Sequence, residues 1–172
     1  MSQISDQFHL IKHLSFFRVL NMMKLATGFQ LQKLTKSGKS NALPFSLSIE
    51  PTTACNLGCP ECPSGLKQFT RPTGKLSHEL HEKILDEVKN SVFYINYYFQ
   101  GEPFLHPDFL ELIRAAKKRK IYTATSTNAH FIDKKKAEEI VESGLDRLII
   151  SLDGLTQKSY EQYRINGNLE KV

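Results

Sequence analysis

The sequence has little that would suit a membrane-spanning or secreted protein. It has no tryptophan, only three cysteines in 172 residues, and no apolar run longer than a few residues. A membrane span needs about 20 mostly apolar residues in a row, so none is predicted. The N-terminus lacks an apolar segment followed by a small-residue cleavage site, and we therefore expect a cytoplasmic location. Hydrophobic residues make up 40% of the chain, which is enough for a folded core.

Acidic residues are almost absent from the first 41 residues of the chain. This segment has six basic residues and the single acid Asp6, whereas residues 42–172 have 17 residues of each sign. The net charge of +5 therefore belongs to an N-terminal arm, residues 1–41, and the body of the chain is electrically balanced. A nucleic-acid-binding surface would need an excess of basic residues on the body, so no nucleic acid partner is expected.

The arm has the pattern of a basic amphipathic helix followed by a linker. Apolar residues recur there at helical spacing, among them Leu10, Leu14, Phe17, Leu20 and Met23. The pattern predicts a helix from about Ser5 to Thr35, which Gly28 could interrupt, and a linker over residues 37–41. Amphipathic helices usually bury their apolar face, so we expect the helix to pack on the main domain. The alternative is weak contact with a membrane surface through residues 8–25, because basic residues flank a face rich in Phe and Leu.

Strand and helix patterns alternate over residues 42–172. The predicted strands are Phe45–Glu50, Val92–Phe99, Ile121–Thr127 and Leu145–Leu152. The predicted helices are Ser77–Asn90, Pro107–Lys120, Asp133–Ser143 and Thr156–Tyr163. This order is typical of α/β proteins with a parallel sheet, and both a barrel-like and an open doubly wound sheet fit it. In either case the C-terminal ends of the strands form the functional edge.

The helix ends carry recognisable capping residues. Ser77 and Asp133 are the expected N-caps of their helices, and Gly144 is the expected stop after the third predicted helix. The buried stripe of the first of these helices is predicted to consist of Leu80, Ile84, Leu85 and Val88.

All three cysteines lie in one short loop after the first predicted strand, in the sequence C-N-L-G-C-P-E-C from Cys55 through Cys59 to Cys62. Their spacing is too short for ordinary disulfide bridges. A structural zinc site normally needs four ligands, and no histidine lies near this loop. Three thiolates could instead bind three irons of a [4Fe–4S] cluster and leave the fourth iron open, with zinc binding or plain thiols as the alternatives.

Four motifs, each just after a predicted strand, occur in the order found in radical S-adenosylmethionine (SAM) enzymes, and residues 44–172 resemble that family. Cys55–Cys62 resembles its C-x3-C-x2-C cluster motif, and Gln100–Pro103 resembles its Gly-Gly-Glu-Pro motif with Gln100 in place of the first Gly. Ser126–Asn128 and Ser151–Gly154 resemble the polar motifs of its third and fourth strands. The details are most similar to the N-terminal part of the SPASM-domain-containing branch, which includes peptide-modifying enzymes.

The resemblance implies a partial TIM barrel with a [4Fe–4S] cluster on Cys55, Cys59 and Cys62 and with SAM on the open iron. One electron, from a low-potential donor such as flavodoxin or ferredoxin, would cleave SAM to a 5′-deoxyadenosyl radical. That radical would abstract hydrogen from an unknown substrate, for which a peptide or protein is one candidate. The SAM-contacting residues that the resemblance implies are Gly101, Glu102, Ser126, Asn128, Ser151, Asp153 and Arg164.

Local structural roles are the alternatives for several of these residues. Glu102 could cap the turn before Pro103, Asn128 could be a turn residue, and Ser151 could bond to backbone within its strand. Glu61 stands where the family often has an aromatic residue beside the adenine, so that contact is not expected here.

The predicted radical SAM core, residues 42–172, is incomplete, because it stops after four strands and has no cysteine for an auxiliary cluster. Two functions therefore remain open at this point. One is a radical SAM enzyme. The other is a non-catalytic iron–sulfur or metal-binding fragment that is inactive because its barrel is incomplete.

Overall fold

The computed structural model describes residues 8–36, 38 and 41–172. Its α-helices are α1 (Phe16–Thr35), α2 (His78–Val88), α3 (Phe109–Lys118), α4 (Lys134–Ser143) and α5 (Gln157–Glu161). Its β-strands are β1 (Ser46–Ser48), β2 (Tyr94–Asn96), β3 (Tyr122–Thr127) and β4 (Arg147–Ile150). Short 3-10 helices are formed by Pro103–Leu105 and by Leu169–Lys171. The predicted alternation of strand and helix is confirmed.

The four strands form one parallel sheet in the order β1-β2-β3-β4. Leu47 is paired with Ile95, and Ile95 with Thr123, so the central register is continuous across the first three strands. A doubly wound sheet reverses its strand order at a switch point, whereas a barrel adds each new strand on the same side. The sequential order therefore selects the barrel-like arrangement, with right-handed crossovers that place the helices on one face.

The regular strands are shorter than predicted, because the ladder becomes irregular at both ends. Before the strands, Phe93 N donates to Phe45 O (3.0 Å) and Tyr122 N donates to Phe93 O (2.9 Å). After them, Tyr97 N donates to Ala124 O (2.7 Å). The backbone groups of the predicted extensions are thus bonded across the sheet without regular strand geometry.

The core lies between the sheet and helices α2, α3 and α4. Its most deeply buried apolar side chains are Leu85, Val92, Ile95, Tyr97, Phe109, Leu112, Ile113, Ala116 and Ile121. Helix α3 supplies more of them than any other element in the described chain, since six of its ten residues are buried. This packing fixes the positions of the strands, whose C-terminal ends carry the polar groups of the predicted motifs.

The predicted caps are present, whereas the predicted stripe of α2 is partly wrong. Leu80 N donates to Ser77 Oγ (3.2 Å), Lys136 N donates to Asp133 Oδ1 (2.7 Å), and Gly144 ends α4 with a φ of 77°. Leu80, however, is half exposed, and its neighbour His81 is fully buried in its place. His81 can occupy this apolar site because its Nε2 lies 2.7 Å from the hydroxyl of Tyr97.

Helix α1 differs from the predicted arm helix. The chain is helical at residues 8–11, leaves the helix before Ser15, and restarts at Phe16 with Ser15 as the N-cap. Gly28 does not interrupt α1. The predicted start at Ser5 and most of the predicted linker, residues 37, 39 and 40, lie outside the described residues.

Helix α1 contacts the main domain as expected, but it leaves most of its apolar face exposed. Phe17, Leu20 and Met23 are all exposed, and Arg18 is the one buried residue of α1. No helix among the described residues is long and apolar enough to cross a membrane.

Arg18 explains which side of α1 faces the body. Its guanidinium donates to the carbonyls of His13 (2.6 Å), Lys120 (2.6 Å), Lys89 (2.8 and 3.1 Å) and Arg119 (2.9 Å). The last three of these carbonyls follow the C-terminal ends of α2 and α3, where helices leave carbonyls without partners and where a cation is favoured. The hydrogen-bonding requirement of these helix ends therefore decides which side of α1 faces the body.

Candidate active site

Side chains from the C-terminal ends of all four strands line one cavity of about 200 Å³. Its lining includes Cys55, Cys59, Cys62, Gly101, Glu102, Ser126, Asn128, Ser151 and Arg164. The structure thus brings together every residue predicted for the site except Asp153, which does not line the cavity.

The loop with the cysteines lies directly against the turn that follows β2. Glu102 N donates to Ala54 O (2.7 Å), and Gly101 N donates to Ser64 Oγ (2.9 Å). Gly101 has a φ of 79°, and a Cβ atom added there would lie 2.1 Å from Thr52 O. Glycine is therefore required at this position both by its backbone conformation and by the close approach of the loop.

The three cysteines are free thiols with different exposures. Cys59 is buried, whereas Cys55 and Cys62 are partly buried. Leu57 N donates to Cys55 Sγ (3.5 Å), and Cys62 Sγ donates to Gln100 Oε1 (3.4 Å). The absence of a disulfide among them agrees with the expectation from their spacing.

Burial shapes the electrostatics of the thiols. Burial raises the pKa values of Cys55 and Cys59, and at Cys59 a nearby positive charge opposes this rise. The opposing charge is the guanidinium of Arg164, whose Nη1 lies 3.8 Å from Cys59 Sγ. A cation bound at these sulfurs would favour their thiolate forms in the same way.

The sulfur atoms are spaced more widely than one metal ion requires. Within the described part of the chain, the one group of three possible ligands whose atoms all lie within 4.8 Å of one another is His9, His13 and Asp146. Thiolates on one tetrahedral zinc ion would be separated by only about 4 Å. At Asp146, Lys117 Nζ already lies 2.7 Å from both carboxylate oxygens.

Glu102 is buried and joins the ends of β2 and β3. Its Oε1 accepts from Thr127 Oγ1 (2.7 Å) and Phe104 N (3.2 Å), and its Oε2 accepts from Asn128 N (2.9 Å). Burial raises the pKa of the Glu102 carboxyl, although these donors favour its ionised form. The bond from Phe104 N is the turn cap that the sequence offered as an alternative role for Glu102. Glu102 therefore caps this turn and also lines the cavity.

Short polar side chains at the next two strand ends contact one another. Ser126 Oγ lies 2.9 Å from Ser151 Oγ, and this hydrogen bond joins the ends of β3 and β4. Asn128 Nδ2 donates to Asn56 Oδ1 (2.8 Å), and Asn128 Oδ1 accepts from His130 N (3.1 Å). Asn128 therefore makes the local turn contact expected of an asparagine and also reaches back to the cysteine loop.

Arg164 and Asp153 form a pair at the rim of the site. Arg164 Nε donates to Asp153 Oδ2 (2.5 Å), while the other end of the guanidinium faces Cys59. Asp153 is partly exposed and contributes by orienting Arg164 rather than by lining the cavity.

Ser64 supports the site from behind the cavity lining, and the sequence did not reveal it. Its hydroxyl accepts from Gly101 N and donates to Gln100 Oε1 (3.1 Å). The sequence marked Gln100 only as a departure from a glycine, yet its amide contacts both Ser64 and Cys62. A serine beside a Pro and a Gly is typical of many loops, and no motif singles it out.

The family profile described as "Radical SAM superfamily" matches residues 49–172, which include the cysteine loop and every strand-end motif. The chain belongs to the radical SAM superfamily. This radical SAM chain is 36% identical to the mycofactocin maturase MftC of Mycobacterium ulcerans, over 73% of its own length and 33% of the relative's. It is 29% identical to the PqqA peptide cyclase of Gluconobacter oxydans, over 72% of its length and 34% of the relative's.

Solved structures of the superfamily share the fold of this chain. SuiB of Streptococcus suis bound to S-adenosylmethionine gives a TM-score of 0.60 at 27% identity, covering 81% of this chain and 32% of SuiB. The structure of anSMEcpe with bound AdoMet gives 0.57 at 28% identity, covering 70% of this chain and 36% of that protein. The partial TIM barrel and the SPASM-containing branch predicted from the motifs are confirmed. The chain spans about a third of the length of the curated relatives that it matches.

Proposed function

We propose that this chain forms the cluster-binding and SAM-binding part of a radical SAM enzyme that acts on a peptide or protein. The observation that carries the proposal is one cavity in which three free thiols lie beside polar groups from four consecutive parallel strands. Cofactors and substrates bind at this edge of a parallel α/β fold. The sulfur groups found there suit an iron–sulfur cluster, and the oxygen groups suit SAM.

The cysteine loop fits a [4Fe–4S] cluster with one open iron. Cys55, Cys59 and Cys62 would hold three irons, since all three are free thiols that line the same cavity. When bound, the cluster and SAM supply the reductive cleavage of SAM and the abstraction of a hydrogen atom from the substrate. The protein's task is to position these groups and to keep water away from them.

The strand ends supply the contacts that SAM needs. Gly101 and Glu102 would receive its amino group, because a buried carboxylate and a backbone turn meet at that point. The hydroxyls of Ser126 and Ser151 suit ribose, and Asn128 can add an amide contact beside them. Arg164 suits the carboxylate of SAM because its planar guanidinium can pair with a carboxylate, and Asp153 holds that guanidinium in place.

The substrate class and the electron donor are proposed from the relatives and from the chemistry. The PqqA peptide cyclase and SuiB, whose structure has been solved with the precursor peptide SuiA, both act on or bind peptides. A low-potential donor such as flavodoxin or ferredoxin would supply the electron. We place the protein in the cytoplasm, where exposed thiols stay reduced.

Anaerobic reconstitution with iron and sulfide tests the proposal. The wild-type chain should gain the visible absorption and, after reduction, the electron paramagnetic resonance signal of a [4Fe–4S] cluster. Cys55→Ala should lose both, while Ser48→Ala, at an exposed position of the preceding strand, should keep them. With a strong reductant the loaded wild-type chain should convert SAM to 5′-deoxyadenosine and methionine. A wild-type chain that assembles no cluster would refute the proposal.

A second candidate function is a non-catalytic cluster-binding fragment. The observation that favours it is the outer strand of the described sheet, β4, beside which Ile150 and Leu152 remain half exposed. Cluster assembly without formation of 5′-deoxyadenosine would support this candidate over the enzyme.

A further inference from the structure

Helix α1 presents an apolar stripe to solvent, interrupted once by Thr27. The stripe consists of Phe16, Leu20, Met23, Leu31 and Leu34, whose spacings of three, four and eight residues place them on one face of the helix. Their exposed fractions are 76%, 37%, 60%, 60% and 82%. The described residues leave this face uncovered although α1 is bonded to the body, so the stripe is available to a partner.

The orientation of the stripe is fixed by polar contacts on the other side of α1. Arg18 donates to carbonyls at the ends of α2 and α3, as described above. Asn21 pairs with the backbone of Leu43 in both directions, donating to its carbonyl (2.8 Å) and accepting from its amide (3.0 Å). Turning the helix to bury its stripe would break all of these bonds, which are costly to lose when partly buried.

The segment that carries the stripe is basic and has no carboxylate of its own. No Asp or Glu occurs between Gln7 and Ile49, whereas Lys24 and Lys33 lie on α1 itself. Lys118 and Lys120 are exposed at the end of α3, close to the carbonyls that bind Arg18. Exposed apolar groups flanked by lysines are the combination that binds to the headgroup region of an anionic bilayer.

The position of α1 leaves the active site free. The ends of α2 and α3 that bind Arg18 lie at the N-terminal edge of the parallel sheet, because each crossover helix runs antiparallel to its strands. The cavity with the cysteines lies at the C-terminal edge. A surface that contacts α1 therefore lies at the opposite end of the fold from the cavity mouth.

We propose that the stripe on α1 docks this protein onto a bilayer containing anionic lipid. A second copy of the chain fits less well, because it would place two positively charged arms without carboxylates against each other. Anionic headgroups complement that charge, and the acyl region accepts the five apolar side chains. This inference does not depend on the proposed catalytic function.

Co-sedimentation of the full chain with lipid vesicles tests the proposal. We expect binding to phosphatidylcholine vesicles that contain phosphatidylserine, and binding weaker by about tenfold to phosphatidylcholine alone or at high salt. The double variant Leu20→Glu/Met23→Glu should lose about tenfold or more in binding to the anionic vesicles, because it places two carboxylates in the stripe. Val141→Glu, at an exposed apolar position of α4, is the matched control and should bind like wild type.

Circular dichroism of each variant shows whether its fold is retained, so a loss of binding can be assigned to the surface. Equal binding of the double variant and wild type, or no binding of wild type to either vesicle, would overturn the proposal. Sedimentation velocity without lipid tests whether the stripe instead contacts a second copy of the chain. A dimer that the double variant abolishes would assign the stripe to a second copy and would also overturn it.

Discussion

Arg18 joins the N-terminal arm to the body by satisfying the ends of two other helices. Its charged donors reach the carbonyls of Lys89, Arg119 and Lys120, and burial lowers the pKa of Arg18. We expect Arg18→Met to weaken the docking of α1 by about 2 kcal/mol, because the bonds to a charged donor are lost while water can reach the freed carbonyls. Hydrogen exchange of the α1 amides should become faster by about 30-fold.

Lys24→Met is the matched control for Arg18→Met. Lys24 is an exposed lysine on the same helix, and its replacement should change stability by no more than about 0.5 kcal/mol. Equal exchange rates in the Arg18→Met variant and wild type would show that Arg18 does not anchor the arm.

The residue scale also shows what sequence patterns can and cannot predict. The cysteines, Glu102 and Ser151 were found because their chemistry and their strand-end positions coincide, and the structure places them in one cavity. The face of α1 that lies against the body was predicted wrongly. Helical periodicity identifies an apolar face, but it does not show on which side of the helix the body lies. The decisive interaction is between Arg18 and carbonyls about 70 to 100 residues away, which no local pattern reveals.

At the scale of elements, the turn after β2 determines whether the cysteine loop can approach the sheet. Gly101→Ala would put a Cβ atom 2.1 Å from Thr52 O in a residue with a φ of 79°. We expect a loss of about 3 kcal/mol or more in the free energy of unfolding, measured by urea denaturation, because the turn or the loop must shift.

Gly28→Ala is a control that should change the free energy of unfolding in the opposite direction. Gly28 lies within α1, and no atom comes within 4 Å of the added Cβ. Alanine is the better helix former, so this variant should be more stable by about 0.5 to 1 kcal/mol. A Gly101→Ala variant as stable as wild type would mean that the close approach to Thr52 is not required.

The elements themselves were predicted more reliably than their ends. Periodicity predicted every α-helix and strand after residue 42 in the right order, because each of them has a buried face or a capping residue such as Ser77 or Asp133. The strands were predicted too long, because apolar residues beside a strand can be buried without regular pairing. The choice of His81 over Leu80 depends on the hydroxyl of Tyr97, which belongs to another element.

At the scale of the whole molecule, buried titratable groups link stability to pH. Burial lowers the pKa of His81 from its ordinary value of 6.5 to about 4. Among nearby charges, Glu82 favours the protonated ring, whereas Arg119, His78 and His106 oppose it. Within the described chain the ring's Nδ1 has no hydrogen-bond partner, so a proton there would be poorly solvated. The folded state therefore holds His81 neutral in a range where the unfolded chain binds a proton.

This difference predicts that acid destabilises the protein between about pH 6.5 and pH 4. The unfolded imidazole gains a proton as the pH falls through 6.5, while folded His81 stays neutral until about pH 4, so the contribution of His81 lowers the free energy of unfolding by up to about 3 kcal/mol. The double variant His81→Leu/Tyr97→Phe removes the titrating ring and the hydroxyl it would leave unpaired. Urea denaturation from pH 7 to pH 4 should show wild type losing stability relative to this variant. The raised pKa of Glu102 acts in both proteins and cancels in the comparison, so parallel profiles would show that His81 is not held neutral.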